Sequence, residues 1–375
     1  MRILVFTHIV SGHFSEYMHH IFEAALSDSK NKYIFLTSSK FNNVKTNFEW
    51  PKAENINFAF LTEKEAEKAC KKNLIRGAWS LSWILRKYVN TLDVDKVFLL
   101  WFAGLMPFLP LVLPRKVLIS GILYRIHLYK IDEQSKIRNC IDNIRMRFIA
   151  MRHNIEKIYV LNDEKSVKIY NNLYGVDKFI YLPDPVPFID KTKLKDLKEE
   201  LGVEINNVIY LHFGAMDERK GTLLILQAII EANRDKIMNS VFIFAGKVDS
   251  RIKEEFYELV DIAKQKCKIL VFDRFCENEF LYNLCYTCNY ILIPYSNTCQ
   301  SSGVIGYASF FQKPVIGPSK GLLGNLIKDN HLGITMNIVD SHEIAKLIEG
   351  NIKYDSYNIY SENHSVEAFS KVLFC

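Results

Sequence analysis

The sequence predicts an α/β protein built from two doubly wound, Rossmann-like domains facing a cleft. Short β-rich apolar runs alternate with helical patterns along all 375 residues, the pattern of βα units around a mostly parallel sheet. The runs fall into two successive sets. Between them stands Pro183-Asp184-Pro185-Val186-Pro187, where three prolines forbid a continued helix or central strand. The length suits two ordinary domains. A hydrophobic fraction of 49% and a charged fraction of 24% suit large cores in a globular protein. The expected divisions are residues 1–187, residues 188–353, and a C-terminal segment 354–375 ending in a helix at 365–374.

The first set of strands is expected at 2–7, 33–37, 96–100, 117–122, 158–161 and 179–182. The run after Met1 is too short for a signal-peptide core, so no leader is expected. Asp93-Val94-Asp95 precedes its strand instead of following it, and reads as a loop ending a helix, not as a manganese site. The longest apolar stretch, 102–113, holds Pro107 and Pro110 and falls short of the roughly 20 residues of a membrane span. It reads as buried loop or helix, with interfacial membrane contact as the lesser alternative. A helical pattern at 133–154 interleaves Lys136, Arg138, Arg145, Arg147 and Arg152 with Ile137, Ile141, Ile144, Phe148 and Ile149. Such a helix either rests on an anionic membrane surface or shows a solvated basic face.

The second set is expected at 208–213, 241–245, 269–272, 290–293 and 315–316. A helix at 222–233 follows the first of these. Another opens after the polar loop 300–303 and ends near Gln312. Eight cysteines in such a chain point to a reducing compartment and free thiols. Cys276, Cys285, Cys288 and Cys299 form a cluster open to a zinc reading. Cys288 begins an apolar run, so buried reduced thiols are the plainer expectation.

Charge is uneven. Residues 1–187 hold 27 Lys and Arg against 18 Asp and Glu, while residues 188–375 hold 21 against 24. The basic excess is densest at 115–157, with ten against four. No groove-reading or stacking motif accompanies it, so nucleic acid is not an expected partner.

Ligands of open α/β sheets bind beyond the carboxyl ends of the strands, so the loops after strands carry the candidates. The first strand is followed by Thr7, His8, Ser11, Gly12 and His13, the 117–122 strand by Tyr124, Arg125 and His127. In the second half the corresponding residues are Gly214 to Gly221, Gly246-Lys247, Asp273-Arg274-Phe275 and Ser296 to Gly303. Ser301-Ser302-Gly303-Val304 opens a helix whose free N–H groups and positive dipole end suit a phosphate. Lys220 beside Arg219 and before Gly221 is a cation at a helix start, where the dipole disfavours it. That placement favours a functional lysine over a solvated one. Arg274 reads either as a contact near a nucleotide base or as a surface residue. Tyr307, on an apolar helix face, reads first as packing.

Residues 210–221, Tyr210-Leu211-His212-Phe213-Gly214-Ala215-Met216-Asp217-Glu218-Arg219-Lys220-Gly221, with the helix after them, resemble the opening of the donor domain in family 4-like glycosyltransferases of the GT-B fold. The strand ending at Gly246 resembles the next strand. Ser301 to Gly317 resembles the donor-phosphate helix and the Pro-Val strand after it, and Gly321 to Ile327 the following turn and helix. The match covers about residues 205–335 in one order. The first half matches in general architecture, and the C-terminal helix would in this fold cross back to the N-terminal domain.

The resemblance implies a nucleotide-sugar donor held by Gly214, Arg219, Lys220, Gly246, Arg274, Ser301, Ser302, Gly303, Val304 and Tyr307. It implies an acceptor or diphosphate loop at Ser11 and Gly12, and catalytic or acceptor-orienting groups at His127, His13 and Arg125. Lys220, Arg219 and the N–H groups after Ser302 would take the charge of the leaving diphosphate, with no metal and no cofactor expected. The implied reaction is transfer, with retention, to a saccharide or polyprenyl-diphosphate-linked acceptor in bacterial capsule or O-antigen synthesis. The implied location is the cytoplasm, peripheral on an anionic inner membrane.

The chain departs from the family at three places. An Arg two residues before the Asp is replaced by Ala215. A pair of glutamates eight positions apart is replaced by Cys299 and Tyr307, as in a branch of bacterial surface-polysaccharide transferases with Ser-Ser-Gly-Val. The family histidine directly after the 117–122 strand is absent, and His127 comes several residues later. These departures leave two rivals: a catalytically degenerate GT-B binding protein, and a zinc-stabilised module built on the cysteine cluster.

Overall fold

The computed structural model describes every residue except 11–12, 44–47, 70–73, 132–133, 187, 351–353, 355–356 and 375, and the side chains at 13, 69, 74 and 374. The chain forms two compact units, Met1–Pro183 with Phe369–Cys375, and Asp184–Ala368. The boundary falls inside the proline run.

The first unit carries strands β1 (Arg2–Phe6), β2 (Lys32–Ser38), β3 (Ile56–Leu61), β4 (Lys96–Leu99), β5 (Leu118–Leu123), β6 (Ile155–Leu161) and β7 (Phe179–Leu182). They form one parallel sheet in the order β3-β2-β1-β4-β5-β6-β7. Its helices are α1 (His13–Leu26), α2 (Glu63–Ala69), α3 (Leu74–Thr91), α4 (Leu109–Val112), α5 (Lys136–Ala150) and α6 (Glu164–Tyr174). Central strands are buried on both faces, which explains their unbroken apolar runs. One face packs Phe22, Phe35, Phe41, Phe58 and Trp50 as stacked and edge-on rings 5.0–6.0 Å apart.

The second unit carries β8 (Val208–Phe213), β9 (Ser240–Ala245), β10 (Lys268–Phe272), β11 (Tyr290–Leu292), β12 (Val315–Pro318) and β13 (Gly333–Met336), in the parallel order β10-β9-β8-β11-β12-β13. Its helices are α7 (Thr222–Glu231), α8 (Arg234–Ile237), α9 (Lys253–Ala263), α10 (Asn278–Thr287), α11 (Gly303–Phe310), α12 (Gly321–Asp329), α13 (Ser341–Glu349) and α14 (Tyr360–Asn363). The last helix, α15 (Val366–Phe374), starts in this unit and ends in the first. Phe369 is fully buried in the first core beside Tyr17 and His20.

Two strands were not expected, β3 and β13. Both lie at sheet edges, where one side lacks a partner and polar residues are tolerated. β3 exposes Asn57 and Phe60. β13 opens on Gly333 at φ +156, where a Cβ would stand 2.0 Å from the Val315 carbonyl oxygen. The neighbouring backbone therefore requires the glycine that weakens the strand signal. The apolar stretch at 102–113 becomes a 3-10 turn at Phe102–Leu105 and the short helix α4. Among the described residues no helix is long and apolar enough to cross a membrane.

Candidate functional site

In the second sheet the chain runs from β8 outward to β9 and β10, then returns to β11 on the other side of β8. The loops after β8 and β11 therefore part at a topological switch point, where open α/β sheets bind ligands. The loop after β8 begins at Gly214, φ +97. Gly246, after β9, has φ +145, and a Cβ there would lie 1.8 Å from the Gly214 carbonyl oxygen. No other residue type fits that approach. The carboxylate of Asp217 accepts the Lys220 N–H at 2.9 Å and caps a 3-10 turn, Glu218–Lys220. Gly221, φ +70, then ends that turn and starts α7, with its Cβ direction blocked by the Pro294 carbonyl oxygen at 2.3 Å. The Ser296 N–H and hydroxyl both donate to the Arg219 carbonyl oxygen, at 3.0 and 3.2 Å. The loops after β8 and β11 are thus stitched together.

This geometry fixes Lys220. Its ammonium stands 2.7 Å from where a Gly214 Cβ would be, and 5.3 Å over the Tyr295 ring. Among the described residues it has no ion-pair or hydrogen-bond partner. Tyr295 is 3% exposed, and its hydroxyl is also without a partner among the described residues. Arg219 lies beside it with a guanidinium nitrogen 3.4 Å from Asp217. An ammonium with no counter-ion at this point is placed to meet an anionic ligand.

His212, on β8, was not expected at the site. Its Nδ1–H donates to the Leu292 carbonyl oxygen at 2.9 Å, and its Nε2 accepts the Thr222 hydroxyl at 3.0 Å. The carbonyl accepts only, so it sets this tautomer. Burial, reinforced by the nearby Lys220 charge, brings His212 down to about 4. The neutral ring ties β8 to β11 and to the start of α7. One sequence offers no signal for this, since the partners lie 80 and 10 residues away.

The α11 start is also braced. Ser301 donates its hydroxyl to Asp184 at 2.6 Å. Ser302 is the extended residue before the helix and makes no side-chain cap. Gly303 and Val304 follow as the first helical residues. Gly306 faces Val186, with a Cβ position 2.7 Å from its Cγ2. Tyr307 packs between Phe213, at the end of β8, and Tyr282, at 5.8 Å from each. Cys299 is buried and donates its thiol to Asn297 at 2.8 Å. Arg274, after β10, lies 5.2 Å over the Phe280 ring. The structure thus brings Gly214, Arg219, Lys220 and Gly246 together and ties Tyr307 to the end of β8, while Arg274 sits two strands out.

In the first unit the switch point lies between β1 and β4. There His8 lies 6.1 Å from Phe6 and 5.8 Å from Trp101, and burial lowers it to about 4. His8 follows the first strand, as do Thr7, Ser11, Gly12 and His13, and their order alone does not single it out. Ser11, Gly12 and the His13 side chain lie outside the described residues. His127 opens a 3-10 turn, His127–Lys130. Its Nε2–H donates to Asn143 at 3.1 Å, and its Nδ1 accepts the Tyr170 hydroxyl at 2.9 Å. Burial lowers its pKa, and it is occupied at both nitrogens. Arg125, two residues earlier, is exposed. Cys276, Cys285, Cys288 and Cys299 are free and buried, the plainer of the two readings, and among the described residues no group of three with metal-ligand spacing includes them.

No family model and no curated protein sequence matches the chain. Solved structures do. HepE (Alr3699) of Anabaena, solved with UDP and glucose, is 14% identical, with a TM-score of 0.67, over 100% of this chain and 98% of its own. WaaG, a glycosyltransferase involved in lipopolysaccharide biosynthesis, is 12% identical at 0.65, over 99% and 97%. The sucrose-phosphate synthase of Thermosynechococcus elongatus is 13% identical at 0.65, over 99% and 94%. At these identities the likeness shows the fold, the two-sheet GT-B architecture along the whole chain.

Proposed function

We propose that the chain is a nucleotide-sugar-dependent glycosyltransferase acting on a saccharide or polyprenyl-diphosphate-linked acceptor, in bacterial capsule or O-antigen synthesis. The observation that carries this reading is the unneutralised Lys220 ammonium seated at the switch point of the second sheet. Lys220, Arg219 and the N–H groups at the start of α11 receive the leaving diphosphate. The anomeric C–O bond to that diphosphate breaks, an acceptor oxygen bonds to the anomeric carbon, and its proton passes to a base. Charge stabilisation at the leaving group is the larger part of such catalysis. The similarity of the whole chain to HepE, solved with UDP and glucose, supports this donor class. Gly246 lets two backbones close beneath the phosphate position. Retention and independence of metal follow from the family resemblance.

On the acceptor side we assign His127 as an anchor. Held by Asn143 and Tyr170, it fixes the turn that follows Arg125. The location is the cytoplasm, with peripheral contact to an anionic inner membrane. That contact is supported by the exposed Ile137, Ile141 and Ile144 beside Lys136 and Arg138 on α5, and by the exposed Trp79 and Trp83 on α3. Apolar anchors among basic residues are the composition of an interfacial helix.

A thermal-shift series with UDP, GDP, ADP, CMP and dTDP tests the reading, on wild type and Lys220→Ala. A ligand at a hundred times its Kd adds about 2.7 kcal/mol of stability. The expected outcome is a rise with one nucleotide that Lys220→Ala abolishes. No rise with any nucleotide moves the assignment to a second reading, a GT-B protein that binds a partner and catalyses nothing. One observation favours that reading: Cys299, at a position of the family's acidic pair, turns its thiol inward to Asn297.

A further inference from the structure

Helix α1 carries His19, His20 and Glu23 on one side. Glu23 follows His19 by four residues and His20 by three, so it lies between them on the helix surface. Its Oε2 stands 3.4 Å from His19 Nδ1 and 3.6 Å from His20 Nδ1. Each residue offers a ligand atom, and the three atoms lie within 4.8 Å of one another. Both nitrogen–oxygen distances are long for a good N–H···O bond.

The two imidazoles are held for ligation in different ways. His19 Nε2–H donates to the Glu49 carbonyl oxygen at 3.0 Å. That leaves the Nδ1 lone pair turned toward the carboxylate, two electron-rich atoms facing each other. A backbone carbonyl on the remote nitrogen is the usual orienting contact of a metal-bound histidine. His20 is 5% exposed, and neither of its ring nitrogens makes a hydrogen bond among the described residues. Its Nδ1 faces the Glu23 carboxylate at 3.6 Å, outside hydrogen-bond range, and its Nε2 has no hydrogen bond among the described residues, and a buried imidazole so placed calls for an explanation. A metal bound at about 2.0–2.1 Å in tetrahedral geometry holds its ligands about 3.4 Å apart, close to the two nitrogen–oxygen distances observed here.

We propose that His19 Nδ1, His20 Nδ1 and the Glu23 carboxylate bind a divalent transition metal, with zinc the expected ion and a water in the fourth position. Two imidazoles and a carboxylate suit zinc, cobalt and nickel over calcium or magnesium. Glu23 is half exposed, which gives the ion its entry path. The His19 ring is stacked on Phe48 at 4.6 Å and meets Trp50 edge-on at 5.1 Å. The His20 ring meets Phe369 at 6.2 Å. A bound ion therefore couples α1 to the segment around Trp50 and to the end of α15. The site shares no residue with those assigned to the donor or the acceptor.

Cobalt(II) titration of the full chain, stripped with EDTA and desalted, tests the proposal. The expected result is one equivalent bound, with d–d absorption of a four-coordinate ion, no thiolate charge-transfer band, and quenching of Trp50 fluorescence. Glu23→Gln sits on the helix surface, where the fold tolerates it, and should weaken binding about tenfold or more, as loss of even an outer-sphere partner does. Zinc should raise the melting temperature of the wild type and not that of the variant. Absence of stoichiometric binding, equal binding by Glu23→Gln, or a thiolate band assigning the ion to the cysteines would each overturn the site.

Discussion

At the switch point of the second sheet, the loops after β8, β9 and β11 touch through backbone. Gly246 lies against the Gly214 carbonyl, Gly221 against the Pro294 carbonyl, and Ser296 donates twice to Arg219. At the switch point of the first sheet the Leu100 N–H donates to the Phe6 carbonyl oxygen at 3.1 Å, and beyond that bond the described residues meet through rings: His8 beside Phe6 and Trp101, and Trp101 lying over Gly104. The first construction admits only glycine at two of its crossings, Gly246 and Gly221. The second permits many side-chain combinations of similar volume. Backbone-to-backbone crossings suit a site that recognises one invariant group, such as a diphosphate. Side-chain crossings suit a site that has to vary.

The most direct way to break this comparison is Gly246→Ala. The added methyl meets the Gly214 carbonyl oxygen at 1.8 Å, on a backbone at φ +145. Strain and overpacking together should cost about 3 kcal/mol or more. Gly175 is the control. Its φ is +63 and nothing lies within 4 Å of its Cβ position, so Gly175→Ala should cost only about 1 kcal/mol of backbone strain. All four tryptophans, Trp50, Trp79, Trp83 and Trp101, lie in the first unit. Tryptophan fluorescence therefore follows that unit, while far-UV circular dichroism follows both. Gly246→Ala should lower the dichroism midpoint of the second unit. Equal stability of the two alanine variants would show that the crossing is not rigid.

Acid separates the two switch points by their histidines. His212 and His8 each sit at about 4, below the 6.5 of an ordinary histidine, because burial disfavours the charged ring. The unfolded chain then binds protons more tightly than the folded one. Each residue's contribution is complete above pH 6.5 and is lost as pH falls toward 4, about 3 kcal/mol in all. His212→Gln should flatten this dependence in the dichroism of the second unit and leave the tryptophan transition alone. His8→Gln should do the reverse. A variant that flattens neither transition between pH 6.5 and 4 would mean that its ring is solvated in the native state.

The same contrast explains what could be read from the chain alone. Central strands were legible because burial on both faces leaves runs such as 208–213 wholly apolar but for His212. The edge strands β3 and β13 were not, because an unpartnered side admits Asn57 and a close approach to β12 demands Gly333. Gly214, Gly221 and Gly246 were legible as backbone crossings because glycine marks such a crossing in any context. His212 and Tyr295 were not legible, and His8 was named only with its neighbours in the loop, since a ring's role depends on neighbours far along the chain. The Ser301–Asp184 bond spans 117 residues. It gives the acidic residue inside the proline run a task that spacing does not reveal.

The smallest expected effect belongs to Tyr307, where the two constructions meet. Its ring packs between Phe213 and Tyr282, a side-chain contact at the edge of the backbone-built site. Tyr307→Phe keeps that packing and removes only the hydroxyl. If the phenol stands in for the carboxylate that the family uses to hold the donor ribose, the variant loses one neutral hydrogen bond. Such a bond is worth about 1 kcal/mol, or roughly fivefold in Kd. Calorimetry with the nucleoside diphosphate found in the thermal-shift series, and with its 2′-deoxy form, separates the cases. A fivefold loss with the ribose form and none with the deoxy form assigns the hydroxyl to the sugar. Equal Kd values for wild type and Tyr307→Phe would return Tyr307 to packing alone, and the site would then hold its donor by the diphosphate and base without a ribose clamp.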